Sequence, residues 1–145
     1  MTEIDFAVRA MLLADSAVKA IVGDRVHLDA LPTTPVLPAV RVSKPSEVPH
    51  AIAPGRFTAR VQCSCYSDPP RANGLRSPAE VERLAKAVAA VVHTARLETE
   101  PTAWVSPSGA SYSVLDHRVA NAPRFTEPTS GYYHKPVDVL VEFME

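Results

Sequence analysis

Residues 56–66 read RFTARVQCSCY, and their apolar and polar positions alternate. Phe57, Ala59, Val61, Cys63 and Cys65 fall on one parity; Thr58, Arg60, Gln62, Ser64 and Tyr66 fall on the other. A period of two predicts a half-buried β-strand, because successive side chains of a strand point to opposite faces. The closing segment YYHKPVDVLVEFME repeats the pattern. Tyr133, Val137, Val139, Val141 and Phe143 share one face; His134, Asp138 and Glu142 take the other, with Leu140 and Met144 less neatly. Pro136 lacks a backbone donor, which predicts a strand edge or a strand that begins near Val137. Weaker alternations predict strands over Arg25–Leu31, Ala39–Ser43, the TAWVS stretch around Trp104, and Ser111–Ala120.

The period lengthens in three places. Over residues 3–14, Ile4, Val8, Met11 and Leu12 recur at helical spacing, with Thr2 placed to cap the start. Asp15 and Ser16 interrupt that run and offer a new N-cap for a short helix, Ala17–Val22, which ends at Gly23. The clearest local signal is Ser77-Pro78-Ala79-Glu80, a capping box with proline in the first turn. A long helix follows to about Thr94, with Val81, Leu84, Ala85, Val88, Val91 and Val92 as its apolar stripe. The predicted fold is therefore α+β: one domain over residues 1–145, with an antiparallel or mixed sheet. The long helix packs on one sheet face and short helices lie at the N-terminus. Phe57, Val61, Leu84, Val88, Val139 and Val141 are the predicted core.

Composition adds constraints. The chain's 145 residues suit one domain, and the formal net charge of −1 argues against a protein whose main work is gripping phosphates. The N-terminus has no basic-then-apolar run of the signal-peptide kind, and no apolar stretch approaches membrane-spanning length. Fourteen prolines are nearly double the usual share. They predict extended connections, above all near 44–55 and 121–131, serving either as contact surfaces or as stiffened loops.

Candidate chemistry is thin. Cys63 and Cys65 are the only cysteines. One residue apart on a strand, their Cα atoms are about 6.6 Å apart, at the outer limit for a disulfide. They read as core residues, with a reactive or metal role as the alternative. The five histidines show no zinc-type spacing. Asp116-His117-Arg118 resembles a relay, but strand neighbours face opposite ways, so His117 reads as a solvated or interface residue. SPSGASYS at 106–113 is not a nucleophile elbow, and the glycines form no phosphate loop. No catalytic, cofactor-binding or metal-binding residue is predicted, and no cofactor.

Order and spacing carry a family resemblance. A helix ending in AVKAIVGDRVHLDALP is followed by LPAVRVS, then RFTARVQCSCYS, then SPAEVERLAKAVAAVV, and the chain closes with GYYHKPVDVLVEF. This resembles the tail-terminator, or tail-completion, proteins of long-tailed bacteriophages, including those that cap a siphophage tail. The resemblance implies a virion structural protein of the tail and neck, made in the host bacterial cytoplasm. It implies a homo-oligomer, a six-fold ring on the last ring of the tail tube, which stops tube polymerisation and offers the head–tail joining surface. Its partners would be the major tail tube protein and a head-side connector or stopper. DNA would pass through the lumen without specific binding, and no membrane is involved. Ring or tube contacts are expected from the loops Pro49–Arg56 and Arg124–Tyr132, through His50, Arg56, Arg124, Phe125 and Tyr132. A head-side connector of the same neck is the nearest alternative; a small ligand-binding domain or enzyme, which would need a pocket of convergent polar groups, is the more distant one.

Overall fold

The computed structural model describes residues 2–68, 78–94, 102–121, 124–126 and 131–145. Among these residues three helices lie over one sheet: α1 (Ile4–Ala14), α2 (Ser16–Val22) and α3 (Ala79–Thr94). The strands are β1 (Val26–Leu28), β2 (Ala39–Pro49), β3 (Arg56–Ser67), β4 (Thr102–Val105), β5 (Ser111–Asn121), β6 (Phe125–Thr126) and β7 (Tyr133–Met144). Their spatial order is β1-β2-β3-β7-β5-β4, with β6 also paired to β7. β1 runs parallel to β2 and every other pairing is antiparallel, so the sheet is mixed.

The parity seen in the sequence decides the layering. Ala59, Val61, Cys63 and Cys65 on β3, and Val137, Val139, Val141 and Phe143 on β7, are fully buried on one sheet face. α3 covers β3 and β7 through Val81, Leu84, Val88 and Val92, all buried. α1 packs across β2 and β4 and also meets α3, so the helical layer is shared among three helices instead of resting on one long helix. Of the predicted core, only Phe57 is half-buried; it stacks on Phe143 with ring centroids 5.6 Å apart. α2 begins as the sequence suggests, with the Asp15 side chain accepting from the Val18 amide at 3.0 Å, and ends at Gly23 with φ 60°.

Several boundaries differ from the sequence expectation. The loop expected over 44–55 shrinks to 50–55, because β2 continues to Pro49 through a register shift between Ser43 and Ser46. That bulge accompanies an ion pair between Lys44 and Glu47, whose side chains are only 5% and 11% exposed. The Lys44 ammonium donates to the Thr2 carbonyl at 2.7 Å, and the Glu47 carboxylate accepts from the Thr2 amide at 3.2 Å and from its hydroxyl. Thr2 is therefore a tether to β2, and α1 has no side-chain cap. β1 is shorter than expected and is followed by Asp29 at φ 64°. Within 121–131 the structure has β6, whose Phe125 stands opposite His134; residues 122–123 and 127–130 lie outside the described residues, as does Ser77 of the capping box.

Pro136 does not mark an edge. β7 begins at Tyr133 and is central, flanked by β3 and β5. Beyond β7, the pairing passes from β6 (opposite His134) to β5 (from Val137), and Pro136 falls in that gap, where a missing donor is tolerated.

The Lys44–Glu47 pair yields a stability prediction. Burial by itself raises the Glu47 pKa, but the Thr2 and Lys44 contacts outweigh it and hold the carboxyl below its ordinary value. Glu47→Ala leaves the Lys44 ammonium without its counter-charge and is expected to cost about 3 kcal/mol in urea unfolding near neutral pH. A depressed carboxylate stabilises fully above the unfolded range, at about pH 4.3, and progressively less as pH falls through the folded value. The gap between wild type and variant should therefore narrow in acid.

Candidate functional site

With all three helices on one side, the opposite sheet face carries the other parity of β3, β5 and β7. Its rows follow from register: Arg60, Leu140 and Arg118 in one, and Thr58, Glu142 and Asp116 in the next. Cross-strand pairs tie β3 to β7 on this face. Arg60 Nη2 donates to Asp138 Oδ2 at 2.7 Å, Gln62 Nε2 to Asp138 Oδ1 at 3.1 Å, and Arg56 to Glu142.

A groove of about 230 Å³ opens on this face, lined by Thr58, Asp116, Arg118, Leu140, Val141 and Glu142. Asp116 and Arg118 are exposed, and their side chains make no ion pair or hydrogen bond among the described residues. Asp116 stands directly opposite Glu142, a like charge already engaged by Arg56. Like charges opposite one another destabilise a strand pair.

Exposed large apolar residues are concentrated at one end of the sheet. Among the described residues there are seven: Phe6, Val36, Val48, Ile52, Val105, Leu115 and Met144. All but Phe6 and Val36 lie where β2, β4 and β7 end and β3 and β5 begin. Ile52 is the most exposed at 87%, with Val48 at 61%, and Ile52 sits at the tip of the β2–β3 hairpin. That tip is built as an ordered turn. The His50 amide donates to the Arg56 carbonyl at 2.7 Å, and the Arg56 amide to the Ala53 carbonyl at 3.2 Å. His50 Nδ1 accepts from the Ile52 and Ala53 amides at 3.3 and 3.2 Å. Gly55 takes φ 81°, which only glycine adopts freely, and its carbonyl accepts from the Glu145 amide at 3.1 Å.

The residues expected from the sequence divide between two ends of the molecule. His50 organises the hairpin tip and Arg56 anchors its base to Glu142. Arg124 donates to Glu82 of α3 at 3.0 Å, Phe125 lies in β6, and Tyr132 is half-buried just before β7. The two groups are separated by the length of β7, roughly 35 Å. Sequence reading missed Thr58, Asp116, Arg118, Leu140 and Glu142 as a groove. The parity that separates Asp116 and Arg118 from His117 was visible; which face lacks helices was not.

Other candidates resolve as structure. His117 is neither solvated nor at an interface: it is 5% exposed on the helix side, with its ring 5.5 Å from that of Trp104. Ser106 donates to the Glu3 carboxylate at 2.7 Å, and Ser108 donates to it as well, holding the Glu3 pKa below its ordinary value and pinning the β4–β5 turn to α1. Cys63 and Cys65 are buried, free thiols. Burial, reinforced by Asp138, pushes the Cys63 pKa up to about 12, and burial also raises that of Cys65. Thiols so shifted carry almost no thiolate at neutral pH, which removes the reactive reading.

The profile of the family described as Tail completion protein gp17 matches residues 6–140. No curated protein sequence matches. Among solved structures, a chain of the "Virion of native gene transfer agent (GTA) particle" matches with a TM-score of 0.61 and 17% identity, covering 98% of this chain and 95% of that one. A second solved chain matches with a TM-score of 0.53 and 15% identity, over 100% and 97%. At these identities the two structures speak to the fold.

The groove's unpaired charges carry a measurable signature. Asp116→Asn removes the repulsion with Glu142 and is expected to raise stability by about 0.5 kcal/mol, read as a higher urea midpoint with unchanged slope.

Proposed function

The chain belongs to the Tail completion protein gp17 family, and from that premise we propose that it forms a six-fold ring at the head-proximal end of the tail tube. There it ends tube polymerisation and presents the surface to which the head side joins. As a member of this family it is a structural protein of the phage tail and virion, and it is not an enzyme. Its neighbours in the proposed ring are further copies of itself, the major tail tube protein on one side and a head-side connector or stopper on the other. DNA passes through the lumen without specific binding, in keeping with a net charge of −1.

The observation that carries this reading is the match over residues 6–140 of a chain whose exposed apolar residues are concentrated at one end of its sheet. Concentrated apolar surface of this kind marks contact with other proteins. A ring also requires two different surfaces on each copy, since head-to-tail contacts close only when the rotation closes. Among the described residues, the one-sided helical layer leaves the hairpin end of the sheet and the adjoining part of the opposite face exposed to supply them.

Inactivating the gene in a tailed particle and scoring tails by electron microscopy tests the proposal. Overlong tails lacking heads are expected. Tails of normal length beside unjoined heads would instead move the chain to the head-side connector, and intact infectious particles would contradict both positions.

A further inference from the structure

We propose that the β2–β3 hairpin tip of one copy, led by Ile52, seats in the Thr58–Asp116–Arg118–Leu140–Glu142 groove of the next copy. The inference rests on the ring reading and names the contact between adjacent protomers. One chain carries both halves of the contact, the tip just beyond the sheet end and the groove on the adjoining face, where Thr58 stands opposite Val48. The projecting half is an ordered turn whose leading side chain is 87% exposed. The receiving half is a groove of about 230 Å³ on the helix-free face, with no tip residue in its lining. A knob and a hole on one chain allow a head-to-tail contact, which closes into a ring when the rotation between copies closes.

The chemistry of the two halves is complementary. Leu140 supplies apolar surface in the groove, and Val48 and Met144 are exposed apolar residues at the same sheet end. An apolar cavity of about 150 Å³ accepts a benzene molecule, so this groove has room for a branched aliphatic side chain and part of its turn. Asp116 and Arg118 flank it with an acceptor and donors, both unengaged among the described residues. The Ile52 and Ala53 amides of the incoming turn are held by His50, so the groups it brings to meet Asp116 and Arg118 are the Ala51 and Gly55 amides and the Ile52 carbonyl. This accounts for keeping Asp116 opposite Glu142 despite the repulsion: the carboxylate serves the neighbour, at a cost to the isolated fold.

Nucleic acid fits the face less well. Arg41, Arg56, Arg60 and Arg118 are nearly balanced there by Asp116, Asp138 and Glu142, and two of the arginines are held by carboxylates of the same chain. A phosphate-binding face would present its cations unopposed.

The test uses two sets of full-length variants, examined both as purified protein and in assembled tails. Ile52→Cys combined with Asp116→Cys, treated with a mild oxidant, should give a ladder of covalent oligomers that ends at the ring size. Each single variant should give none. Cys63 and Cys65 are buried and do not compete. Ile52→Asp, at an exposed position, should leave the fold intact by circular dichroism and weaken self-association by about tenfold or more. Rings that form normally without cross-linking, and that tolerate Ile52→Asp, would overturn the knob-and-groove contact while leaving the ring reading standing. Ile52→Cys alone giving covalent dimers would also overturn it, in favour of a tip-to-tip contact. Absence of any ring in wild-type protein, both free and in tails, would remove the ring reading itself.

Discussion

The antiparallel pairing of β3 with β7 along their full length is the contact on which the other elements depend. β2 and β5 flank this pair, and through them β1 and β4 find their places. Register matters more than length here. A slip of one residue would carry Val61, Cys63, Val139 and Val141 to the wrong face and set Arg60 and Asp138 against the helices. Both faces oppose such a slip. On one, the valines lie under α3; on the other, Arg60, Gln62 and Asp138 bond across the strands. The ion pairs on that open face are part-exposed and add little each. Their role is to fix the register that the buried face requires.

From that pairing follows the asymmetry that matters for assembly. Every described helix lies on one side; the opposite face is buried around Ser64, Tyr66 and His134 and stays open toward the hairpin, around Thr58, Asp116 and Arg118. The strands also end together where the hairpin turns, and exposed Val48, Ile52, Val105, Leu115 and Met144 gather there. A chain that lived alone would gain little from a rigid turn presenting isoleucine to water. In a ring, each copy needs one surface to offer and another to receive, and the sheet supplies both without distorting its core.

Much of this fold was legible in the sequence, and the limits have physical causes. Alternation, clean over 56–66 and broken over 133–143 only by Lys135, Pro136 and Leu140, revealed the central strands and their buried faces, because burial on one side leaves a period of two. The helices were legible from apolar spacing and, for α2, from Asp15 and Gly23. The continuation of β2 past Ser43 was hidden. Lys44, Pro45 and Glu47 read as loop residues, and only tertiary contact with Thr2 turns the two charges inward. His117 was misread because its environment depends on Trp104, which reaches it from the neighbouring strand β4. The candidate site was half legible. His50 and Arg56 lie at the tip, yet Asp116, Arg118 and Leu140 join the groove only through pairings between strands far apart in sequence.

The account stands or falls on where the chain sits in the particle and which of its surfaces meet. Cryo-electron microscopy of the neck, with the chain traced in the map, is the most direct measurement. The account predicts a closed six-fold ring between tube and head-side connector, with each Ile52 covered by the helix-free sheet face of the adjacent copy. A ring whose copies meet through their helical faces, with the hairpin tips free, would contradict it.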